Sequence, residues 1–203
     1  MTRSFAIAAA GMALAFLAVM LWLGQRGGAD DVFAQCRGAA VAGDIGGPFE
    51  LIDGRGRTVT DRDVITEPAL IYFGYTYCPD VCPMDVDRNA IAVELLEEKG
   101  KRVTPVFITL DPERDTPEVV SDFADAMHPR MIGLTGTPEQ VRAAAQAYRV
   151  FYKLHPPVDG EYLVDHTTFS YLVMPGAGFV DFFRSELPPD QLAESLACYL
   201  DGA

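Results

Sequence analysis

ALIYFGYTYCPDVCP, residues 69–83, decides how the chain is read. Its first seven residues are nearly all apolar, as in a strand buried on both faces. Tyr75-Thr76-Tyr77-Cys78-Pro79-Asp80-Val81-Cys82-Pro83 then turns the chain and opens a helix. The helix is predicted to start at Pro83, which can stand at the first helical position without losing a hydrogen bond. It is predicted to run to Lys99, with Gly100 as its stop. Two sulfurs are thus held at the edge of a sheet, beside helix N–H groups and a dipole that stabilise thiolate. Such a pair can form a disulfide, exchange one, or clamp a soft metal. A structural disulfide or two inert core thiols are the plain alternative, but inert buried cysteines do not favour a polar turn. Three residues separate the cysteines, where C-x-x-C redox motifs have two. The longer loop leaves room for a metal.

Working outward, strands are predicted over 103–110, 169–174 and 179–183 from their apolar, β-branched and aromatic content. Thr116-Pro117-Glu118 and Thr137-Pro138-Glu139 each read as N-cap, proline at the first helical position, then an acid in the first turn. Helical apolar spacing follows at Val119, Val120, Phe123 and Ala126, and again at Val141, Ala144, Ala145 and Tyr148. A last helix is predicted over 189–200. Alternating strands and helices imply an α/β fold, with a central mixed or parallel sheet flanked by helices on both faces.

The N-terminus is a different object. Residues 5–23, FAIAAAGMALAFLAVMLWL, are an unbroken apolar run of 19, long enough to span a bilayer as a helix. A cleaved signal has a shorter apolar core and a small-residue cleavage site. Here Trp22 stands like an interfacial anchor. The expected organisation is an uncleaved membrane anchor over 1–26, a tether over 27–45 and a globular domain over 46–203. The slight excess of N-terminal positive charge places the N-terminus inside and exports the domain. A mitochondrial presequence would be Arg-rich and amphipathic, which this is not. The expected address is a bacterial inner membrane, single-pass, with the domain in the periplasm. The 203-residue chain has 16 Lys and Arg against 29 Asp and Glu, a net charge of −13. That balance excludes a nucleic-acid partner, which needs clustered basic residues.

Two thiolates are too few to enclose most metals, and the chain has three histidines. His128 ends a predicted helix, where a cation meets the last carbonyls. His155, in Leu154-His155-Pro156-Pro157, reads as a solvated turn residue. His166 lies just before a buried strand, where a structural role and a ligand role both remain open.

Taken together, YFGYTYCPDVCP (72–83), FITLDPERDTPE (107–118), LTGTPEQV (134–141) and YLVDHTTFSYLV (162–173) resemble the Sco/SenC family of membrane-anchored copper-handling proteins. The resemblance spans roughly residues 46–200 without large gaps. It implies a thioredoxin-like fold facing the periplasm or the mitochondrial intermembrane space. It implies that Cys78, Cys82 and His166 bind copper, as Cu(I) or Cu(II). It also implies delivery to the dinuclear copper centre of cytochrome c oxidase, or a thiol reductase role preparing that centre. Other copper chaperones or thiol reductants are the further partners implied. After Pro83, family members often continue with small hydroxylic residues, whereas this chain has Met84-Asp85-Val86-Asp87. Asp85 and Asp165 are expected to orient the ligands from behind. Asp165 could equally be a plain turn residue, and Met84 is expected to pack. Cys36 and Cys198 lie outside the family's motif. They can pair, stay free or bridge two molecules.

The expected chemistry is a redox-gated metal carrier, which needs no turnover. Oxidation to a Cys78–Cys82 disulfide removes the thiolates and should abolish binding. One rival is a thiol–disulfide oxidoreductase using the same cysteines. A peroxide reductase is disfavoured, because no arginine directly flanks Cys78. Two cysteines, a histidine and water also make a zinc set, which ligand identity alone does not exclude. The exported domain is expected to be monomeric.

Overall fold

The computed structural model describes residues 11, 15–20, 33, 35–36 and 44–202. The chain divides into two compact units, Met1–Gln35 and Cys36–Ala203. In the first, residues 15–20 are helical and exposed. No helix among the described residues is long and apolar enough to cross a membrane. Most of the expected anchor, 1–26, and most of the expected tether, 27–45, lie outside the described residues.

In the second unit the strands β1 (Glu50–Asp53) and β2 (Thr58–Thr60) lead into a single-turn helix, α1 (Asp61–Val64). The central run is β3 (Ala69–Gly74), α2 (Val81–Glu97), β4 (Thr104–Thr109), α3 (Pro117–Met127), β5 (Ile132–Thr135) and α4 (Pro138–Ala147). Then come β6 (Tyr152–Leu154), β7 (Val164–His166), β8 (Ser170–Met174), β9 (Gly178–Phe183) and α5 (Pro189–Asp201). Among the described residues, seven strands form one sheet in the order β2-β1-β5-β4-β3-β8-β9, and β6 pairs with β7 in a separate ribbon. Strands β3, β4 and β5 are parallel, as helical crossovers require, while β8 runs antiparallel to β3 and β1 antiparallel to β5. The sheet is therefore mixed.

Strand periodicity divides the core between the two faces. Ile71, Phe73, Val106 and Ile108 pack with Val141, Ala144 and Ala145 of α4. Tyr72 and Phe107, the alternate residues, pack with Cys82 and Val86 of α2 and Val120 and Ala124 of α3. Helices thus cover both faces, and β3 and β4 are buried throughout.

The expected caps of α3 and α4 are present. Thr116 Oγ1 accepts from the Val119 N–H at 3.4 Å, and Thr137 Oγ1 from the Gln140 N–H at 3.2 Å. Gly100 adopts φ +72° just beyond α2, in the left-handed region that glycine enters without strain. The start of α2 differs from the sequence reading. The helix begins at Val81, not Pro83, with Asp80 at the N-cap. Proline is tolerated at the third helical position too, since the whole first turn lacks intrahelical N–H partners. Cys82 therefore sits inside the first turn rather than ahead of it.

Cys36 and Cys198 form a disulfide, with Cα atoms 5.7 Å apart across a sequence separation of 162. It ties a residue of the expected tether to α5. Replacing both cysteines with serine is expected to lower stability by about 2–4 kcal/mol, because the cross-link restricts the unfolded chain. A urea unfolding midpoint unchanged by the double substitution would contradict this.

Candidate metal centre

The end of β3 is shaped around a sulfur. A Cβ on Gly74 would lie 3.2 Å from Cys82 Sγ, 3.1 Å from the Phe107 ring and 2.9 Å from the Tyr72 ring. Glycine there leaves the space that the sulfur fills. The chain then turns, with the Cys78 N–H donating to the Tyr75 carbonyl at 3.3 Å. The N-cap Asp80 makes no side-chain capping bond. Instead Cys78 Sγ accepts from the Cys82 N–H at 3.4 Å, so a sulfur satisfies one open donor of the first turn. Cys78 and Cys82 are both free thiols, the first half-buried and the second fully buried.

His166 closes the arrangement from the other side. Its Nε2 lies 3.1 Å from Cys82 Sγ, across 84 residues of sequence. Its Nδ1 lies 2.9 Å from the Thr167 carbonyl oxygen. A carbonyl only accepts, so Nδ1 carries the hydrogen and the Nε2 lone pair faces the sulfur. The Tyr72 and Tyr75 rings stand edge-on to the imidazole, with centroids at 6.1 and 6.0 Å.

The two thiols are electrostatically unlike. Burial pushes Cys78 upward, but the Asp80 and Cys82 N–H groups, the Cys82 thiol and the Tyr75 hydroxyl outweigh it, leaving Cys78 below the ordinary thiol value. Burial first, then the neighbouring Cys78, push Cys82 well above it. Burial likewise lowers His166, which favours the neutral imidazole a metal needs.

The expected supporting acids are placed differently from each other. Asp85 is buried and accepts from the Tyr72 hydroxyl at 3.0 Å and the Ser185 hydroxyl at 2.8 Å. It hydrogen-bonds neither His166 nor Cys82, but its charge acts on His166 from nearby. Asp165 makes no hydrogen bond to His166 and acts on it only as a nearby charge. Neighbouring residues of a strand face opposite sides, and Asp165 Oδ2 meets His155 Nε2 at 2.7 Å on the exposed side of the ribbon. The Thr167 carbonyl takes the place expected of Asp165. His155 is accordingly paired, not simply solvated. His128 is buried at the C-cap of α3, and its Nδ1 accepts from the Arg130 N–H at 3.1 Å, a local structural role. Met84 does not pack; it is 67% exposed.

Sequence reasoning missed Tyr72, Ser185, Thr167 and, most of all, Arg114. No arginine flanks Cys78 in sequence, yet the Arg114 guanidinium lies 4.8 Å from the Tyr77 ring centre. The available signal was the charged run Asp111-Pro112-Glu113-Arg114-Asp115, placed between a buried strand and a helix.

Two sulfurs and one imidazole nitrogen suit copper or zinc and not magnesium or calcium. Among the described residues no three His, Cys, Asp or Glu side chains already stand as a closed metal cage. Cys82 and His166 face each other, while Cys78 Sγ is turned to the Cys82 N–H.

The family model described as SCO1/SenC matches residues 37–201. Protein SenC of Rhodobacter capsulatus is 58% identical over 174 residues, covering 84% of this chain and 78% of that protein. Protein SCO1 homolog 1, mitochondrial, of Arabidopsis thaliana is 41% identical over 153 residues, covering 75% of this chain. The chain spans about half the length of that mitochondrial relative, 46%. The crystal structure of Arabidopsis thaliana ScoI with copper bound superposes with a TM-score of 0.75 at 39% identity, covering 78% of this chain and 99% of that one. The mixed sheet with helices on both faces is thus the thioredoxin-like architecture of a protein solved with copper. Matched almost end to end from residue 37, and identical to a SenC protein at most aligned positions, the chain belongs to the SCO1/SenC family.

Proposed function

We propose that this chain is a copper carrier, holding copper on Cys78, Cys82 and His166 and passing it to the dinuclear copper centre of cytochrome c oxidase. The observation that carries the reading is the 3.1 Å approach of Cys82 Sγ to His166 Nε2, which joins a soft pair to an imidazole. In this reading residues 1–26 anchor the chain in a bacterial inner membrane, 27–45 tether it, and the domain works in the periplasm. Copper is cargo. The chain's own work is to present two thiolates, keep His166 neutral with Nε2 free, and give up the Cys82 proton when the ion is loaded. Fewer ligands than most copper ions fill leaves an open position through which an acceptor can take the ion ligand by ligand.

The test is a copper titration of the full-length chain in detergent, reduced under argon, beside the oxidised chain. One copper per reduced chain and none per chain with a Cys78–Cys82 disulfide is expected. No stoichiometric copper on the folded, reduced chain would overturn the reading.

A second reading is favoured by the opposite shifts of the two thiols. A thiol–disulfide oxidoreductase needs an exposed thiolate and a buried resolving thiol. Cys78 would attack a partner disulfide to form a mixed disulfide. Cys82 would then displace the partner's second sulfur, its proton passing to the leaving thiolate. The partner gains two electrons and the chain is left with a Cys78–Cys82 disulfide. His166→Ala separates the readings: a carrier loses copper affinity by about 10–100-fold, while a reductase keeps most of its exchange rate.

A further inference from the structure

The proposed ligands come from two separate pieces of structure. Cys78 and Cys82 belong to the turn between β3 and α2, attached to the main sheet. His166 belongs to the β6–β7 ribbon, which is not hydrogen-bonded into that sheet. The distance between sulfur and imidazole therefore depends on what holds the ribbon against the turn. Apolar packing of Val164 and Tyr152 supplies part of it. The polar part includes a backbone hydrogen bond from Val164 to Tyr75 and a larger cluster gathered around one side chain.

The Arg114 guanidinium stacks 3.6 Å from the ring centre of Tyr162, in the loop that leads into β7. The same guanidinium lies 4.8 Å from the Tyr77 ring and 5.7 Å from the Tyr75 ring, both in the cysteine turn. Its Nη2 donates to the Tyr162 carbonyl at 3.0 Å, and its Nη1 lies 3.6 Å from Glu161. Its Nε donates to Asp111 Oδ2 at 2.5 Å, and the other oxygen of Asp111 accepts from the Tyr162 hydroxyl at 2.7 Å. Arg114 and fully buried Asp111 thus grip Tyr162 by ring, hydroxyl and carbonyl.

The loop that carries Arg114 is itself fixed to the turn. Asp115, fully buried, accepts from the Thr76 N–H at 3.0 Å and the Thr76 hydroxyl at 2.5 Å. It also accepts from the Thr109 hydroxyl at 2.5 Å, at the end of β4. One end of the loop is therefore bonded to the cysteine turn and the other clasps the histidine ribbon.

We propose that Arg114 is a positioning residue that latches the β6–β7 ribbon onto the cysteine turn and so sets the approach of His166 to Cys78 and Cys82. The proposal rests on the copper-carrier reading of that site. Arginine suits the role because its planar cation stacks on aromatic rings and offers several donors in fixed directions, which lysine does not. The effect depends on oxidation state. Two thiolates alone serve the soft Cu(I), whereas Cu(II) leans on the imidazole. Releasing the latch should therefore weaken Cu(II) far more than Cu(I).

The test uses the full-length chain in detergent with Arg114→Gln, Tyr162→Leu and His166→Ala, singly and with each of the first two combined with the third. Chelator competition should show Arg114→Gln and Tyr162→Leu each losing about tenfold or more in Cu(II) affinity, with an altered thiolate-to-Cu(II) absorption band. Cu(I) affinity should stay within about threefold. In the His166→Ala background the further loss of Cu(II) affinity should be under about twofold, because the residue acts through the imidazole. In the copper-free protein, amide exchange at His155 and Thr167, which bond across the ribbon at 2.9 Å each, should speed while β3 and β4 stay protected. Equal Cu(II) losses with and without His166, or unchanged ribbon exchange, would overturn the latch. If Arg114→Gln does not fold, Tyr162→Leu carries the same comparison, since it leaves the Arg114–Asp111 pair in place. A wild-type chain that binds no copper overturns the carrier reading instead, and ribbon exchange alone then decides the latch.

Discussion

Replacing Cys82 with serine is expected to reduce Cu(I) affinity by at least about a thousandfold, or about 4 kcal/mol, while leaving the fold in place. Cys82 Sγ is fully buried, held between Gly74 and His166 Nε2, and its backbone N–H already serves Cys78. The substitution changes the donor atom with little change of shape. Serine keeps a hydroxyl that can hydrogen-bond Nε2, so nothing buried is left unpaired. What it cannot supply is a soft anion: an alcohol stays protonated where a thiol can ionise. Cys78 and His166 then remain as a two-donor remnant of mixed softness. His166→Ala is the milder loss for Cu(I), because both thiolates survive. Chelator competition on the two variants, with far-UV circular dichroism to check the fold, gives the ranking. A Cys82→Ser chain within about tenfold of wild type would remove Cys82 from the ligand set.

How much of this was legible depended on how local the cause was. Strands β3, β4 and β8 are largely apolar runs because both faces are covered, and burial on that scale leaves its mark on composition; the edge strand β9 is half-buried and shows mainly in its aromatic residues. The starts of α3 and α4 are written in Thr-Pro-Glu, where capping chemistry is confined to four residues. The short strands β1, β2, β5, β6 and β7 carry three or four residues each, too few to show a period. The start of α2 was misplaced because Pro83 is tolerated at more than one position of a first turn.

The site divides in the same way. The cysteine turn is one contiguous segment and could be read as reactive without any fold. Asp165 looked like a support because it adjoins His166 in sequence, but in a strand adjacency means opposite faces. The latch could not be read at all. Arg114 meets Tyr162 across 48 residues, and no local pattern encodes that contact. The Cys36–Cys198 pairing, across 162 residues, stayed open for the same reason.

The two thiols should also separate sharply in reactivity. On the reduced chain, iodoacetamide at pH 7 is expected to modify Cys78 at least about a hundred times faster than Cys82, because only thiolate attacks and only Cys78 is both accessible and lowered. The pH dependence carries the sign. The Cys78 rate should rise with a midpoint below the free-thiol value of about 8.5, and Cys82 should stay unreactive well above it. The same shifts act on stability. Cys78, depressed in the fold, contributes stability that is present above its unfolded value and is lost as pH falls through its folded value. Cys82, raised in the fold, contributes stability that is present below about 8.5 and is lost as pH climbs toward its folded value. Tyr75 and Tyr171, each pushed up to about 12 with burial as the largest cause, extend that alkaline loss in the same direction. The reduced chain should therefore weaken on the alkaline side, as thermal unfolding from pH 8 to 11 can register. Equal alkylation rates at the two cysteines, read by peptide mass spectrometry, would remove the asymmetry. If the asymmetry holds, it also orders the loading of a cation. Cys78, the lowered thiol, offers the first thiolate, and Cys82 surrenders its proton only to an ion already delivered into the pocket beside His166.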